Sequence, residues 1–114
     1  MSDSLRNDAW ASFVVLIIII KMKKELFNKC LEAVEDATDI RWHKVTQSRT
    51  DEAVCARMLL VRVLTDAGFS ESDIAEYTFM KQQRINYLKN EGMMRIEHNR
   101  LMRKMYDEIR QKMQ

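Results

Sequence analysis

The sequence predicts an all-α fold, a small helical domain of about five helices. The composition favours helices, because there is no proline and there are two glycines, while Met, Leu, Lys, Arg and Glu are abundant. Apolar residues also recur at intervals of three and four through most of the chain, which is the spacing of one helix face. With 114 residues, the chain is long enough for one hydrophobic core and therefore for one domain.

The N-terminal part carries a continuous apolar run, residues 10–20, followed by Lys21-Met-Lys-Lys24. A transmembrane helix needs about 20 apolar residues, and a secretory signal needs a basic start and a small-residue cleavage site. Three interpretations remain open: sequence upstream of a true start at Met22, a membrane anchor formed by residues 10–24, or a β-prone strand or helix that packs on the domain. We expect the first, and so divide the chain into an extension, 1–23, and a domain, 24–114. The expected location is cytoplasmic, with membrane association through the apolar run as the alternative.

Two amphipathic helices are predicted next, over 24–38 and 50–66. The inner face of the first consists of Leu26, Phe27, Cys30, Leu31, Val34 and Ala37. A connector follows, which Ile40, Trp42 and Val45 are expected to attach to the core. Thr50 or Asp51 caps the second helix, which is apolar enough to be expected at the centre of the fold.

Residues 65–90 predict two further helices that meet at a tight corner. Gly68 suits the left-handed residue that ends a helix, and Ser70 with Asp73 resembles a capping box. A helix over 71–77, a turn at Thr78-Phe-Met80 and a helix over 81–91 follow. This is the layout of a helix-turn-helix, whose second helix enters the major groove of DNA.

A final helix is predicted beyond Gly92, over 93–112. Its apolar stripe consists of Met94, Leu101, Met105 and Ile109, with Met102, Tyr106 and Met113 alongside. The stripe is expected to close the core, although a methionine-rich surface also suits a protein partner.

The helix over 81–91 supplies the candidate DNA-binding residues. Ile85 and Leu88 are expected to face the core, which leaves the polar side chains Lys81, Gln82, Gln83, Arg84, Asn86 and Lys89 for the other faces. Glutamine and asparagine can pair with adenine, and arginine with guanine. The alternative is an ordinary solvated helix surface.

Charge is spread unevenly along the chain, although its net value is only +2. Residues 25–79 hold six Lys/Arg and eleven Asp/Glu, whereas residues 80–114 hold nine Lys/Arg and four Asp/Glu. An acidic support and a basic half that faces DNA would give this division, so it favours nucleic-acid binding.

Other function classes have little support in the sequence. Cys30 and Cys55 fall on apolar helix faces and have no metal-ligand spacing with His43 or His98. There is no glycine-rich phosphate loop, and neither histidine has a nucleophile motif near it. We therefore expect no enzyme activity, no metal, no cofactor and no small-molecule substrate.

Four motifs support a family resemblance. Ser48-Arg49 is followed after a short gap by Val54-Cys-Ala-Arg57, then by Leu64-Thr65, and residues 70–75 read Ser-x-x-x-Ile-Ala. From about Leu26 to Ile109 the chain thereby resembles the C-terminal DNA-binding domain of the bacterial replication initiator DnaA. The family has Ser-Arg, Val-x-Ala-Arg, Leu-Thr and Ser-x-x-x-Ile-Gly in the same order.

The resemblance implies roles for individual residues. Arg49 corresponds to the arginine with which the family probes the minor groove, and Lys44, Lys81 and Lys89 are expected at phosphates. The family's Asp-His-Thr-Thr-Val at the start of the recognition helix is replaced by Lys81-Gln-Gln-Arg-Ile85, and the turn before it is shorter. Base-reading positions therefore carry over to Lys81, Gln82 and Gln83, but the family's target sequence does not.

The expected function is sequence-specific or semi-specific binding of duplex DNA in transcription or replication control. The resemblance implies a stand-alone DNA-binding module without the initiator's ATPase domain, of the kind suited to phage or mobile-element genomes. Two alternatives remain: a protein–protein adaptor that keeps the fold without the DNA role, and a membrane-tethered regulator.

Overall fold

The computed structural model describes residues 2–41 and 50–114, with side chains described from residue 9 onward. These residues form five α-helices and no strand: α1 Ser2–Thr38, α2 Asp51–Asp66, α3 Glu71–Thr78, α4 Gln82–His98 and α5 Arg100–Met113. The all-α prediction is confirmed.

Helix α2 lies at the centre of the fold, as its composition predicts. It contacts each of the other four helices, and Met58, Leu59, Leu60 and Leu64 are fully enclosed. The helix begins after Thr50, whose hydroxyl accepts a hydrogen bond from the Ala53 backbone N–H at 3.3 Å. Burial of leucine-sized side chains stabilises a fold by about 2–3 kcal/mol each, so α2 is the main source of stability.

The N-terminal apolar run forms a helix, so its interpretation as a strand is wrong. Helix α1 passes without interruption from this run into the predicted helix over 24–38, because no glycine, proline or capping residue separates them. Its second half packs on the domain through Phe27, Cys30, Ala33 and Val34. From residue 9 to residue 25 every side chain of α1 is exposed, so this part buries no apolar face on the described domain, and Lys23 contacts α3 through a salt bridge with Asp73. No helix within the described ranges has both the length and the apolar content needed to span a membrane.

The turn between α2 and α3 forms as predicted. Gly68 has a φ of +98°, and Ser70 caps α3. The Ser70 hydroxyl accepts the Asp73 N–H at 3.1 Å, while the Asp73 carboxylate accepts the Ser70 N–H at 3.3 Å. The Ser70 N–H, together with Lys23 from α1 at 3.4 Å, holds the pKa of Asp73 below its ordinary value. The capping box therefore also connects α3 to α1.

The boundary between the last two helices differs from the prediction. Gly92 lies inside α4, where a Cβ atom would come within 3.0 Å of the Met58 Cβ, so glycine serves a close helix crossing and not a stop. The break falls at Asn99, whose side-chain oxygen accepts the backbone N–H groups of Leu101 and Met102 at 3.0 and 3.1 Å. Asparagine is a favoured N-cap, and this signal was available in the sequence.

This shift of the break changes which methionines are buried. Met94 and Leu101 were expected in the stripe that closes the core, but both are exposed. The buried face of α5 consists of Met102, Tyr106 and Ile109, with Met105 and Met113 partly buried. The stripe prediction was wrong for Met94 and Leu101 because it assumed one helix across residue 99.

Candidate functional site

The turn between α3 and α4 is short and is held by side-chain hydrogen bonds. Thr78 is buried, and its hydroxyl donates to the Ile74 carbonyl at 2.6 Å while accepting the Met80 N–H at 3.4 Å. Phe79 ends α3 in the left-handed conformation, with φ 61° and ψ 16°. Lys81 has an extended backbone and immediately precedes α4. The helix therefore begins at Gln82, one residue later than predicted. These contacts fix the position of the first turn of α4 relative to α3.

The core-facing side of α4 anchors the helix. Ile85, Leu88, Gly92 and Ile96 are buried, and α4 contacts α2, α3 and α5. The predicted inward orientation of Ile85 and Leu88 is confirmed. Because these residues hold one side of the helix, the side chains on its other sides are presented on a fixed support.

The first turn of α4 presents the exposed side chains of Lys81, Gln82, Gln83 and Arg84. No described segment of the chain covers them. Lys81 makes no side-chain cap of the helix. The group offers two amides and two cations to a ligand, which is the chemistry that pairs with base edges and phosphates.

Glu71 holds the two other candidate residues of α4. Its carboxylate accepts a hydrogen bond from the Asn86 side chain at 3.0 Å and lies 3.7 Å from the Lys89 ammonium. Asn86 also accepts a hydrogen bond from the Asn90 side chain at 3.2 Å. A ligand that uses Asn86 or Lys89 must therefore compete with Glu71. No local sequence pattern predicts this contact, because Glu71 is on α3 and meets α4 only across the turn between the two helices.

A buried arginine lies beneath this region. Arg57 of α2 is only 3% exposed, and burial, together with the positive charge of Arg84, lowers the pKa of its guanidinium below the ordinary value. Arg57 adds positive charge close to Arg84 without being exposed to a ligand.

Two predicted DNA-binding residues, Lys44 and Arg49, lie outside the described residues, as do Trp42, His43 and Val45 of the connector. Ile40, at the start of the connector, is partly buried against the core as expected.

Large apolar side chains are also exposed along α4 and at the start of α5. The exposed fractions are 57% for Tyr87, 43% for Met93, 59% for Met94 and 66% for Leu101. Tyr87, Met93 and Met94 belong to α4, and Leu101 belongs to the first turn of α5. We call them the apolar corner.

The cysteines and acidic residues offer no second chemistry. Cys30 is fully buried, and burial raises the pKa of its thiol to about 11, so the thiol is protonated and unreactive at neutral pH. Cys55 is partly buried and also has a free thiol. Within residues 9–41 and 50–114, no three His, Cys, Asp or Glu side chains gather as metal ligands would.

A polar cluster joins α2 to α5. The Tyr106 hydroxyl donates to the Asp66 carboxylate, and the Arg62 guanidinium lies 3.4 Å from the same carboxylate. The guanidinium carbons of Arg62 and Arg110 lie 5.9 and 5.7 Å from the centre of the Tyr106 ring. Because Asp66 of α2 binds both Arg62 and Tyr106, this cluster attaches α5 to α2.

No protein-family model, curated protein or solved structure matches this chain.

Proposed function

We propose that this protein binds duplex DNA through the start of α4, with sequence-specific or semi-specific recognition, and acts in transcription or replication control. One observation carries the proposal. Lys81, Gln82, Gln83 and Arg84 are exposed together on the first turn of a helix whose opposite side is anchored by Ile85 and Leu88.

The chemistry of this group suits the major groove. A glutamine amide can donate to and accept from adenine at the same time, and an arginine guanidinium can donate twice to guanine. Lys81, at the turn, would meet a phosphate and fix the helix in register. An anchored helix adds specificity, because side chains that contact bases must be held at a fixed distance from those that contact the DNA phosphates.

The arrangement of α3, a three-residue connection and α4 supports a helix-turn-helix as the binding unit. In this proposal α4 is the recognition helix of a DnaA-like domain. Arg49 would probe the adjacent minor groove and Lys44 would contact a phosphate, as the resemblance implies.

The charge distribution along the chain also favours a nucleic-acid partner. Residues 80–114 carry nine Lys/Arg against four Asp/Glu, although the whole chain is only +2. With few phosphate contacts, binding should be weak at physiological salt and should strengthen steeply as salt is lowered.

Fluorescence anisotropy with a labelled random duplex, at several salt concentrations, tests the proposal. In a parallel titration with a duplex selected from a randomised pool, Gln83→Ala should weaken binding by about tenfold, since one good bidentate contact contributes about 1–3 kcal/mol. Lys81→Ala should weaken binding to all duplexes and reduce the salt dependence by about one phosphate contact. Gln111→Ala, the same substitution at an exposed position of α5, is the matched control and should bind as wild type does. Absence of binding at low salt would refute the proposal.

A second candidate function is a protein–protein adaptor, and the apolar corner favours it. Tyr87, Met93, Met94 and Leu101 are large, apolar and exposed, and tyrosine and methionine are enriched at protein interfaces. The same titration separates the two candidates. If duplex DNA does not bind at low salt while the variants remain folded, the adaptor function is favoured.

A further inference from the structure

Residues 9–20 of α1 form an apolar stretch of helix that the described domain does not cover. Residues 9–20 include one hydroxyl group, at Ser12, and no charged side chain. The exposed fractions of Trp10, Phe13 and Leu16 are 67%, 54% and 54%. Exposed apolar surface of this extent marks an interaction site in a folded protein.

This part of α1 is apolar on every side. Successive residues of a helix project about 100° apart, so Ile17, Ile18, Ile19 and Ile20 together surround the axis. All four are exposed, between 38% and 54%. A single partner helix would cover one stripe and leave the other isoleucines in water. A helix that is apolar all round needs an environment that is apolar all round.

The length of the segment restricts what that environment can be. Twelve helical residues span about 18 Å, whereas the hydrocarbon core of a bilayer is about 30 Å thick. The segment is therefore too short to cross a membrane but long enough to lie beneath the headgroups of one leaflet. Its backbone hydrogen bonds are made within the helix, so the backbone can leave water without an unsatisfied polar group.

The two ends of the segment suit a membrane–water boundary. Trp10 lies at one end, and tryptophan concentrates at the headgroup level of membranes. At the other end Lys21 and Lys24 are exposed and three residues apart, hence on the same side of the helix. Lys23 is directed differently, toward Asp73 of α3 at 3.4 Å, which holds the helix to the domain at this point.

We propose that residues 9–24 of α1 bind a lipid membrane surface. The apolar segment lies among the acyl chains of one leaflet, and Lys21 and Lys24 contact anionic headgroups. This site is separate from the DNA-binding face on α4, so neither proposal depends on the other.

Vesicle flotation with the full chain tests the proposal, with phosphatidylcholine alone and with added phosphatidylglycerol. The chain has two tryptophans, so in a Trp42→Phe background Trp10 alone reports on the segment. The protein should float with both vesicles, and Trp10 emission should shift to shorter wavelength. Anionic lipid should strengthen binding by about fivefold for each of the two lysines. Lys21→Gln/Lys24→Gln should abolish this preference and retain binding to phosphatidylcholine.

Two further variants separate lipid binding from general loss of structure. Ile17→Glu/Ile18→Glu should abolish flotation while the circular dichroism spectrum stays that of a folded protein. Leu101→Glu, at an exposed apolar position on α5, should float as wild type does. If the wild type does not float and Trp10 emission stays unchanged, the proposal is overturned. It is also overturned if flotation is absent and the Trp10 shift follows protein concentration alone, because a second copy then covers the segment.

Discussion

Replacing Asn99 with alanine tests where α4 ends and α5 begins. In the structure, the Asn99 side chain accepts two backbone N–H groups of the first turn of α5. Alanine leaves both without that acceptor, and loss of such a cap costs about 1 kcal/mol in the free energy of unfolding. For a domain of 114 residues this lowers Tm by about 4 °C. Urea unfolding followed by circular dichroism, together with thermal melts, measures both quantities.

The sign of the change distinguishes two helix boundaries. If one helix ran through residue 99, as the sequence suggested, alanine would be the better helix former and would stabilise the protein by about 0.5 kcal/mol. Asn99→Asp should retain the wild-type stability, because aspartate also caps helices. Asn90→Ala, an exposed asparagine inside α4, is the matched control and should change stability by less than about 0.5 kcal/mol. A gain in stability for Asn99→Ala would refute the boundary at Asn99.

Phe79→Gly should raise the free energy of unfolding by about 0.5 kcal/mol, because Phe79 is 94% exposed and its φ of 61° strains any side chain; a lower urea midpoint would contradict this. Glu71→Gln should tighten duplex binding about threefold in low-salt anisotropy titrations, since it removes the charge that holds Lys89 and weakens the hold on Asn86. Unchanged or weaker binding would argue against contacts from these two residues. Between about pH 9 and pH 11 the protein should lose about 2–3 kcal/mol of stability, because the unfolded Cys30 thiol ionises while the folded thiol, with a pKa of about 11, keeps its proton. Urea midpoints across this pH range should fall less in Cys30→Ala than in wild type, and equal slopes would exclude this cause.

The sequence predicted the part of the fold that local signals determine. Ser70 and Asp73 specify a capping box, Gly68 specifies a left-handed helix end, and the apolar spacing of α2 specifies a central helix. Each signal acts within a few residues, and each appears in the structure.

Predictions were wrong or left open where one residue pattern is compatible with two different structures. Gly92 can end a helix or permit two helices to approach, and only the position of Met58 decides between these roles. We predicted the first role, and this misplaced the helix boundary and the apolar stripe. The N-terminal run was ambiguous for the same reason, because β-branched residues suit strands but form helices when nothing interrupts them.

The candidate site was predictable in position but not in its internal contacts. Helical spacing from Ile85 and Leu88 was enough to find the exposed residues at the start of α4. The contacts of Glu71 with Asn86 and Lys89 depend on how α3 packs against α4, and no local sequence pattern predicts that packing.

Selection of bound sequences from a pool of randomised duplexes tests most directly whether α4 recognises bases. We expect an enriched consensus for the wild type and a changed or lost preference at one position for Gln83→Ala. A pool that stays unenriched for the wild type, at salt low enough for binding, would contradict base recognition by α4 and leave only attraction between charges.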